Sequence, residues 1–225
     1  MENRSTVDPQ LILEGVSFSY DGAFPLFQDL YFRLKVGELV VIWGANGVGK
    51  STLARIISGL VQPTKGSINI EGIPPGNFPV GLVMENPHHQ FLSPNVQEEI
   101  ALGLRAQGYP SKVIKEKVDE VLQTFGLEPL RHLTPENLSE GELLLVILAS
   151  VVAMKPSFLI LDEIFTYLHP QERERIWREV VRCSQTMGIL ILTARWLPLY
   201  QGLPLFQMKN QRIEKLDPSE LEYWG

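Results

Sequence analysis

The sequence predicts an α/β fold interrupted by a helical insertion, on three observations. Short apolar runs alternate with turn residues and amphipathic segments on both sides of the chain's middle. Several of those runs are uninterrupted, as strands buried on both faces require. Between about Pro87 and Pro156 strand patterning gives way to helical periodicity. The simplest partition is a single domain over 1–225, with an α/β core at about 1–86 and 157–225 and the helical insertion at about 87–156.

Taken in order, LILEGVSFSY (Leu11 to Tyr20) reads as a strand ending at an Asp21-Gly22 turn, and LYFRL (Leu30 to Leu34) as a second short strand. ELVVIW (Glu38 to Trp43) is apolar without alternation, which suits a strand covered on both sides. A glycine-rich loop follows, then a helix over Ser51 to Ser58 stopped at Gly59. SINIEG and VGLVME read as further strands. In the insertion, Ile114, Val118, Val121, Leu122 and Phe125 recur at helical spacing, with Ser111 placed to cap the start and Gly126 the end. FLILD (Phe158 to Asp162) resumes the strand pattern, an amphipathic helix covers about Gln171 to Cys183, and ILILT (Ile189 to Thr193) is another buried strand. Short strands around LPLFQM and RIEKL follow.

Composition narrows the function classes. Hydrophobic residues at 44% and charged residues at 20% are close to the globular average, against disorder, collagen or coiled coil. A net charge of −6 argues against a protein gripping DNA or RNA through a broad basic surface, so no nucleic-acid partner is expected. The lone cysteine, Cys183, has no intramolecular partner, which fits a reducing compartment; a buried structural thiol is its default reading. MENRSTVDPQ lacks the apolar core of a secretory signal. The longest apolar stretch, the twelve residues Leu143 to Met154, spans about 18 Å as a helix against a hydrocarbon layer of about 30 Å, so no membrane-crossing segment is expected. With one core accounting for the 225 residues down to Trp224-Gly225, almost nothing is expected to be left over for an appended domain.

The strongest local signal is GANGVGKS, Gly44 to Ser51, which fits the phosphate-loop pattern G-x-x-x-x-G-K-[ST] between a buried strand and a helix. Glycines let backbone N–H groups turn inward around a polyphosphate at a helix N-terminus. Lys50 adds charge at the β- and γ-phosphates, and the Ser51 hydroxyl can ligate Mg²⁺. FLILDE supplies the second part. Asp162 ends a buried strand where a carboxylate can hold Mg²⁺, and Glu163 next to it can orient or deprotonate an attacking water.

Between these motifs NLSEGE, Asn137 to Glu142, opens the long apolar helix and resembles the ABC signature, normally close to LSGGQ. The order of phosphate loop, helical insertion, signature and strand-end Asp-Glu is similar to the nucleotide-binding subunit of ABC transporters over roughly residues 11–216. VGLVMENPHHQ (Val80 to Gln90) further resembles the energy-coupling factor group of importer ATPases, which serve vitamins, cobalt and nickel and carry a Phe-Gln-Asn-Pro-Asp-x-Gln segment there. That resemblance implies a P-loop NTPase fold with a mostly parallel core sheet, an antiparallel N-terminal β part and an inserted helical subdomain. It implies ATP and Mg²⁺ as ligands, with nucleotide contacts at Tyr20 (stacking on adenine), Asn46, Gly47, Gly49, Lys50, Ser51 and Thr52, and metal contacts at Ser51, Asp162 and Glu85. Lys50 and Glu163 are the implied catalytic residues. Ser139 and Gly141 match signature positions that close over ATP held by a second ABC subunit. The implied partners are that subunit, identical or different, and a transmembrane subunit, with the chain peripheral on the cytoplasmic membrane face.

Several positions depart from the pattern. Glu85 stands at the glutamine that senses Mg²⁺ and the attacking water, and Ala194 at the switch histidine. His169 replaces the aspartate of the loop linking the two sites, Ile164 the proline after Glu163, and Glu140 and Glu142 the Gly and Gln of the signature. Losing one preorganised donor lowers rate by about 10²–10³, so slow hydrolysis is expected. A closely related alternative is an ATP-binding regulatory half of a heterodimer. Soluble ABC proteins acting on ribosomes or DNA carry two nucleotide domains or long coiled-coil insertions, absent here, and NLSEGE with Tyr20 argues against a small-molecule kinase. Leu143 to Leu145, where the family has Lys-Gln-Arg, is either a buried helix turn or a docking surface for a membrane partner. His88 and His89 have no second ligand at metal spacing, so no metal site is expected there.

Overall fold

A computed structural model describes residues 9–73 and 79–216; the amino-terminal segment read for a signal and the Trp224-Gly225 end lie outside them. Two sheets form. The first is antiparallel and three-stranded, in the order β2 (Phe27–Lys35), β1 (Gln10–Phe18), β4 (Lys65–Glu71). The second has six strands in the order β5 (Val80–Val83), β6 (Phe158–Asp162), β7 (Gly188–Thr193), β3 (Leu39–Trp43), β8 (Leu205–Lys209), β9 (Arg212–Lys215). Strands β6, β7, β3 and β8 run parallel to one another, and β9 folds back antiparallel on β8.

The two strand classes explain their sequences. Strand β2 alternates, burying Phe27, Leu30, Phe32 and Leu34 while Tyr31, Arg33 and Lys35 face water, as an antiparallel strand with one covered face does. Strands β6 and β7 are buried at every residue, which is why their sequences contain no alternation. Helix α1 (Lys50–Ile57) packs between the sheets, and Leu53, Ile42, Phe158, Leu190, Leu13 and Phe27 share one core with it. Each such side chain contributes about 1.5–3 kcal/mol by leaving water.

Contacts divide the chain into two compact units: Met1–Leu82 with Ser157–Glu163 and Ser184–Gly225, and Val83–Pro156 with Ile164–Cys183. The second is helical, with α2 (Val96–Ala106), α3 (Ser111–Phe125), α4 (Glu140–Ala153) and α5 (Pro170–Ser184). Arg175 and Arg182 of α5 donate to the Phe125, Gly126 and Thr124 carbonyls at the end of α3, which accounts for α5 belonging here. Helix α2 starts on the Asn95 side chain, which accepts the Glu98 N–H at 3.1 Å. Helix α3 ends at left-handed Gly126 as its sequence predicts, but Ser111 is not its cap. Extended Pro110 holds that position, with Ser111 the first helical residue.

Helix α4 settles the meaning of its apolar run. Leu143, Leu144 and Leu145 are all buried, and so is nearly every residue to Ala153. A helix apolar all round belongs inside the protein, so the docking surface considered for these leucines is corrected: they have no exposed face. No helix among the described residues is long and apolar enough to cross a membrane.

Cys183 is buried on α5, and burial pushes its thiol up from an ordinary 9.0 to about 11; the Arg182 charge opposes the shift and Glu179 adds to it. Only the thiolate is nucleophilic. In the native protein Cys183 therefore labels slowly with a thiol reagent at pH 8, and denaturant releases one fast-reacting equivalent. The folded state holds this proton more tightly than the unfolded chain does. Its contribution to stability is complete below pH 9 and disappears as pH rises towards about 11. Denaturation midpoints across pH 8–11, compared with those of C183A, measure that loss.

Candidate functional site

Strand β3 is central in the parallel sheet, and its end delivers the glycine-rich loop to α1. The Gly44 N–H donates to the Thr193 carbonyl at 3.0 Å, fixing where the loop leaves the sheet. Gly49, with φ at +107°, is the N-cap of α1, and a Cβ there would lie 2.9 Å from Leu26 Cγ. Glycine alone meets both demands at that position. Gly47, at φ +81°, is exposed and has nothing within 4 Å of where a Cβ would stand. No side chain caps α1, in contrast to α2 and α4, so its first-turn N–H groups face an open, exposed loop. Asn46 is exposed at the loop's crest.

Lys50 is 5% exposed, and its ammonium has three acceptors: the Gly44 carbonyl at 2.9 Å, the Ala45 carbonyl at 3.1 Å, and Glu163 Oε1 at 3.1 Å. Glu163 is itself 8% exposed. Its backbone is left-handed at φ +56°, a conformation costing a non-glycine residue about 1–2 kcal/mol. Its N–H donates to the Leu192 carbonyl, which anchors the turn that aims the carboxylate at the loop. Asp162, one residue earlier, is buried at the end of β6. Ser51 is half-buried in the first turn of α1.

Tyr20 follows β1 in a loop rather than ending the strand. Its ring is 70% exposed, its edge meets Phe18, and its hydroxyl lies 2.7 Å from Thr52 Oγ1. That tether turns an open aromatic face beside the first turn of α1. Asp21 shapes the loop, accepting from the Ala23 and Phe24 N–H groups and the Ser19 hydroxyl; these bonds, chiefly that from Phe24, hold its carboxyl below the ordinary 3.8.

Tyr20, Asn46, Gly47, Gly49, Lys50, Ser51, Thr52, Asp162 and Glu163 thus belong to one unit, with Ala194. Glu85, Ser139, Gly141, His169 and Ile164 belong to the helical unit, and their surroundings are described within it. Glu85 is exposed in a bend after β5. Ser139 caps α4: its hydroxyl accepts the Glu142 N–H at 3.2 Å while Glu142 Oε2 accepts the Ser139 N–H at 2.9 Å, a capping box. The glutamate replacing the signature glutamine therefore has a structural task. Gly141 faces Glu172, whose Cδ would stand 2.5 Å from an added Cβ, and Glu172 Oε2 accepts the His169 N–H at 3.3 Å. All four histidines are exposed, and no three candidate metal ligands cluster among the described residues.

Two residues escape the sequence reading. Thr193, 2% exposed, places its hydroxyl 3.3 Å from Glu163 Oε2 and 3.0 Å from the Arg195 carbonyl, a single proton serving either. Trp43 donates its indole N–H to the Ala194 carbonyl at 2.9 Å. A lone polar residue closing the otherwise apolar ILILT run is the signal that marks Thr193.

The donor set fits Mg²⁺ with a nucleotide. Ser51 and Asp162 offer hard oxygens, and the uncapped helix with Lys50 offers N–H groups and charge to phosphate. Residues 27–166 match the family described as ABC transporter. The chain is 34% identical over 192 residues to the energy-coupling factor transporter ATP-binding protein EcfA1 of Halalkalibacterium halodurans, covering 81% of this chain and 69% of that one. It is 36% identical over 219 residues to the EcfA1 of Streptococcus pyogenes serotype M5, covering 92% and 78%. The solved CbiO1 of Clostridium perfringens, part of the ABC transporter complex CbiONQ, matches with a TM-score of 0.82 at 28% identity over 97% of this chain and 92% of that one.

Removing one member of a buried ion pair costs about 3–5 kcal/mol, because the other is left uncompensated. K50A is therefore expected to lower the urea midpoint of the purified protein strongly. Combined with E163Q it should cost less than the sum of the single changes, with a coupling of about 1–3 kcal/mol. Additive losses would show that the 3.1 Å contact is energetically idle.

Proposed function

Since the chain belongs to the ABC transporter family, we propose that it is the ATP-binding subunit of an energy-coupling factor-type importer of the vitamin or cobalt/nickel class. It binds Mg-ATP at an interface with a second ABC ATPase subunit, identical or different, and drives a transmembrane subunit from the cytoplasmic face. The observation that carries the reading is the buried Lys50 ammonium, shared between its own loop carbonyls and Glu163 at the N-terminus of an uncapped helix.

That arrangement supplies a mechanism. Lys50 exchanges its Glu163 contact for β- and γ-phosphate oxygens, so substrate binding frees the Glu163 carboxylate. Glu163 then accepts a proton from the water attacking in line, and Thr193 steadies its second oxygen. When bound, Mg²⁺ would neutralise phosphate charge, and Ser51 and Asp162 are the residues that would hold it. Tyr20 offers its open face to adenine, held in place through Thr52. Ser139 and Gly141, at the start of α4, reach the ATP of the partner subunit.

Ala194 carries no side-chain donor for the γ-phosphate, and Glu85 brings negative charge where the family has a neutral amide. Both favour slow turnover and support the alternative reading of a regulatory, ATP-binding half. Nucleotide binding that requires Mg²⁺, with hydrolysis about 10²-fold below that of A194H, is the expected result in a steady-state phosphate-release assay. Ordinary transporter rates from the isolated chain would exclude the slow-turnover reading. Absence of Mg-ATP binding would exclude the function altogether.

A further inference from the structure

Two positions at which the chain departs from its family's pattern meet in space. In the Phe-Gln-Asn-Pro-Asp-x-Gln segment the residue at the aspartate is His88, and in LSGGQ the residue at the first glycine is Glu140. They lie 52 residues apart, yet His88 Nε2 stands 2.8 Å from Glu140 Oε1. Both belong to the helical unit.

Each partner is held from its own side. His88 sits in a single turn, Pro87–His89, with Pro87 buried and its own N–H donated to Asn86 Oδ1 at 3.0 Å. Glu140 is the first residue of α4 after the Ser139 cap. A second carboxylate also feels the imidazole. Glu136 is held below its ordinary 4.5 mainly by the Thr134 hydroxyl and its own backbone N–H, with the His88 charge adding to both. The start of α4 thus gathers Glu136, Glu140 and Glu142, of which Glu142 is occupied by the capping box. An exposed, unpaired Glu140 would oppose any phosphate approaching Ser139.

We propose that His88 is a positioning residue for the signature. By holding the Glu140 carboxylate in a hydrogen bond, it keeps the Ser139 hydroxyl proton and the Glu140 and Gly141 N–H groups, which the capping box does not use, open to the γ-phosphate of the partner's ATP. The pair lets this chain carry glutamate where its family carries glycine. The inference rests on the function proposed above and adds a residue to it.

The test is steady-state Mg-ATP hydrolysis by the assembled transporter containing wild type, H88A, H88K, E140G or H88A/E140G. H88A should raise the apparent KM for ATP five- to tenfold with kcat within about twofold, and H88K should restore it. E140G should lower KM below the wild-type value, and in that background H88A should change it less than twofold. A role confined to folding would lower the melting temperature of H88A without this dependence on Glu140. Equal KM values for wild type and H88A, or an H88A effect that persists beside E140G, overturn the inference while leaving the function standing. A wild-type assembly that neither binds nor hydrolyses Mg-ATP overturns both.

Discussion

A positive charge buried beside the phosphate loop is the constraint around which the core is arranged. Lys50 is withdrawn from water almost completely, so its ammonium needs acceptors close by, and two different stretches of chain deliver the three it has. Two are carbonyls of the glycine-rich loop, which must therefore curl back over the start of α1. The third is Glu163, which reaches the lysine only because β6 ends beside the loop and the backbone then turns left-handed. Thr193 and the Gly44 N–H tie the neighbouring strand end into the same cluster. Fold and chemistry are coupled here through one cation.

Much of this was legible in the chain. Uninterrupted apolar runs marked β3, β6 and β7, because a strand covered on both faces leaves no room for alternation. GANGVGKS marked the loop and FLILDE the strand-end carboxylates, since glycine spacing and a terminal acid are local features. What stayed hidden was set by distance along the chain or by backbone geometry. Thr193 meets Glu163 across two strands 30 residues apart, and His88 meets Glu140 across 52. The left-handed turn at Glu163 has no glycine to announce it. Ser111 looked like a cap because serine is a good one; Pro110 holds that position instead.

The departures from the signature read differently once their contacts are known. Glu142 completes a capping box, so its carboxylate is engaged with the Ser139 backbone. Glu140 has an imidazole partner. Glu85, by contrast, is exposed in its bend, and Ala194 contributes its carbonyl to an indole and no side-chain donor. Charge added at the start of α4 is accommodated by neighbours, whereas the donor removed at Ala194 is not replaced by its own side chain.

Helix α4 is enclosed by protein on nearly every side, and its sequence has no polar stripe to distinguish one face from another. Rotating such a rod about its axis would drive large side chains against close-packed neighbours at every turn. Sliding it together with the elements packed around it disturbs none of those contacts. A displacement at either end of so enclosed a helix is therefore shared with the elements packed around it, over the roughly 20 Å from Ser139 to Ala153.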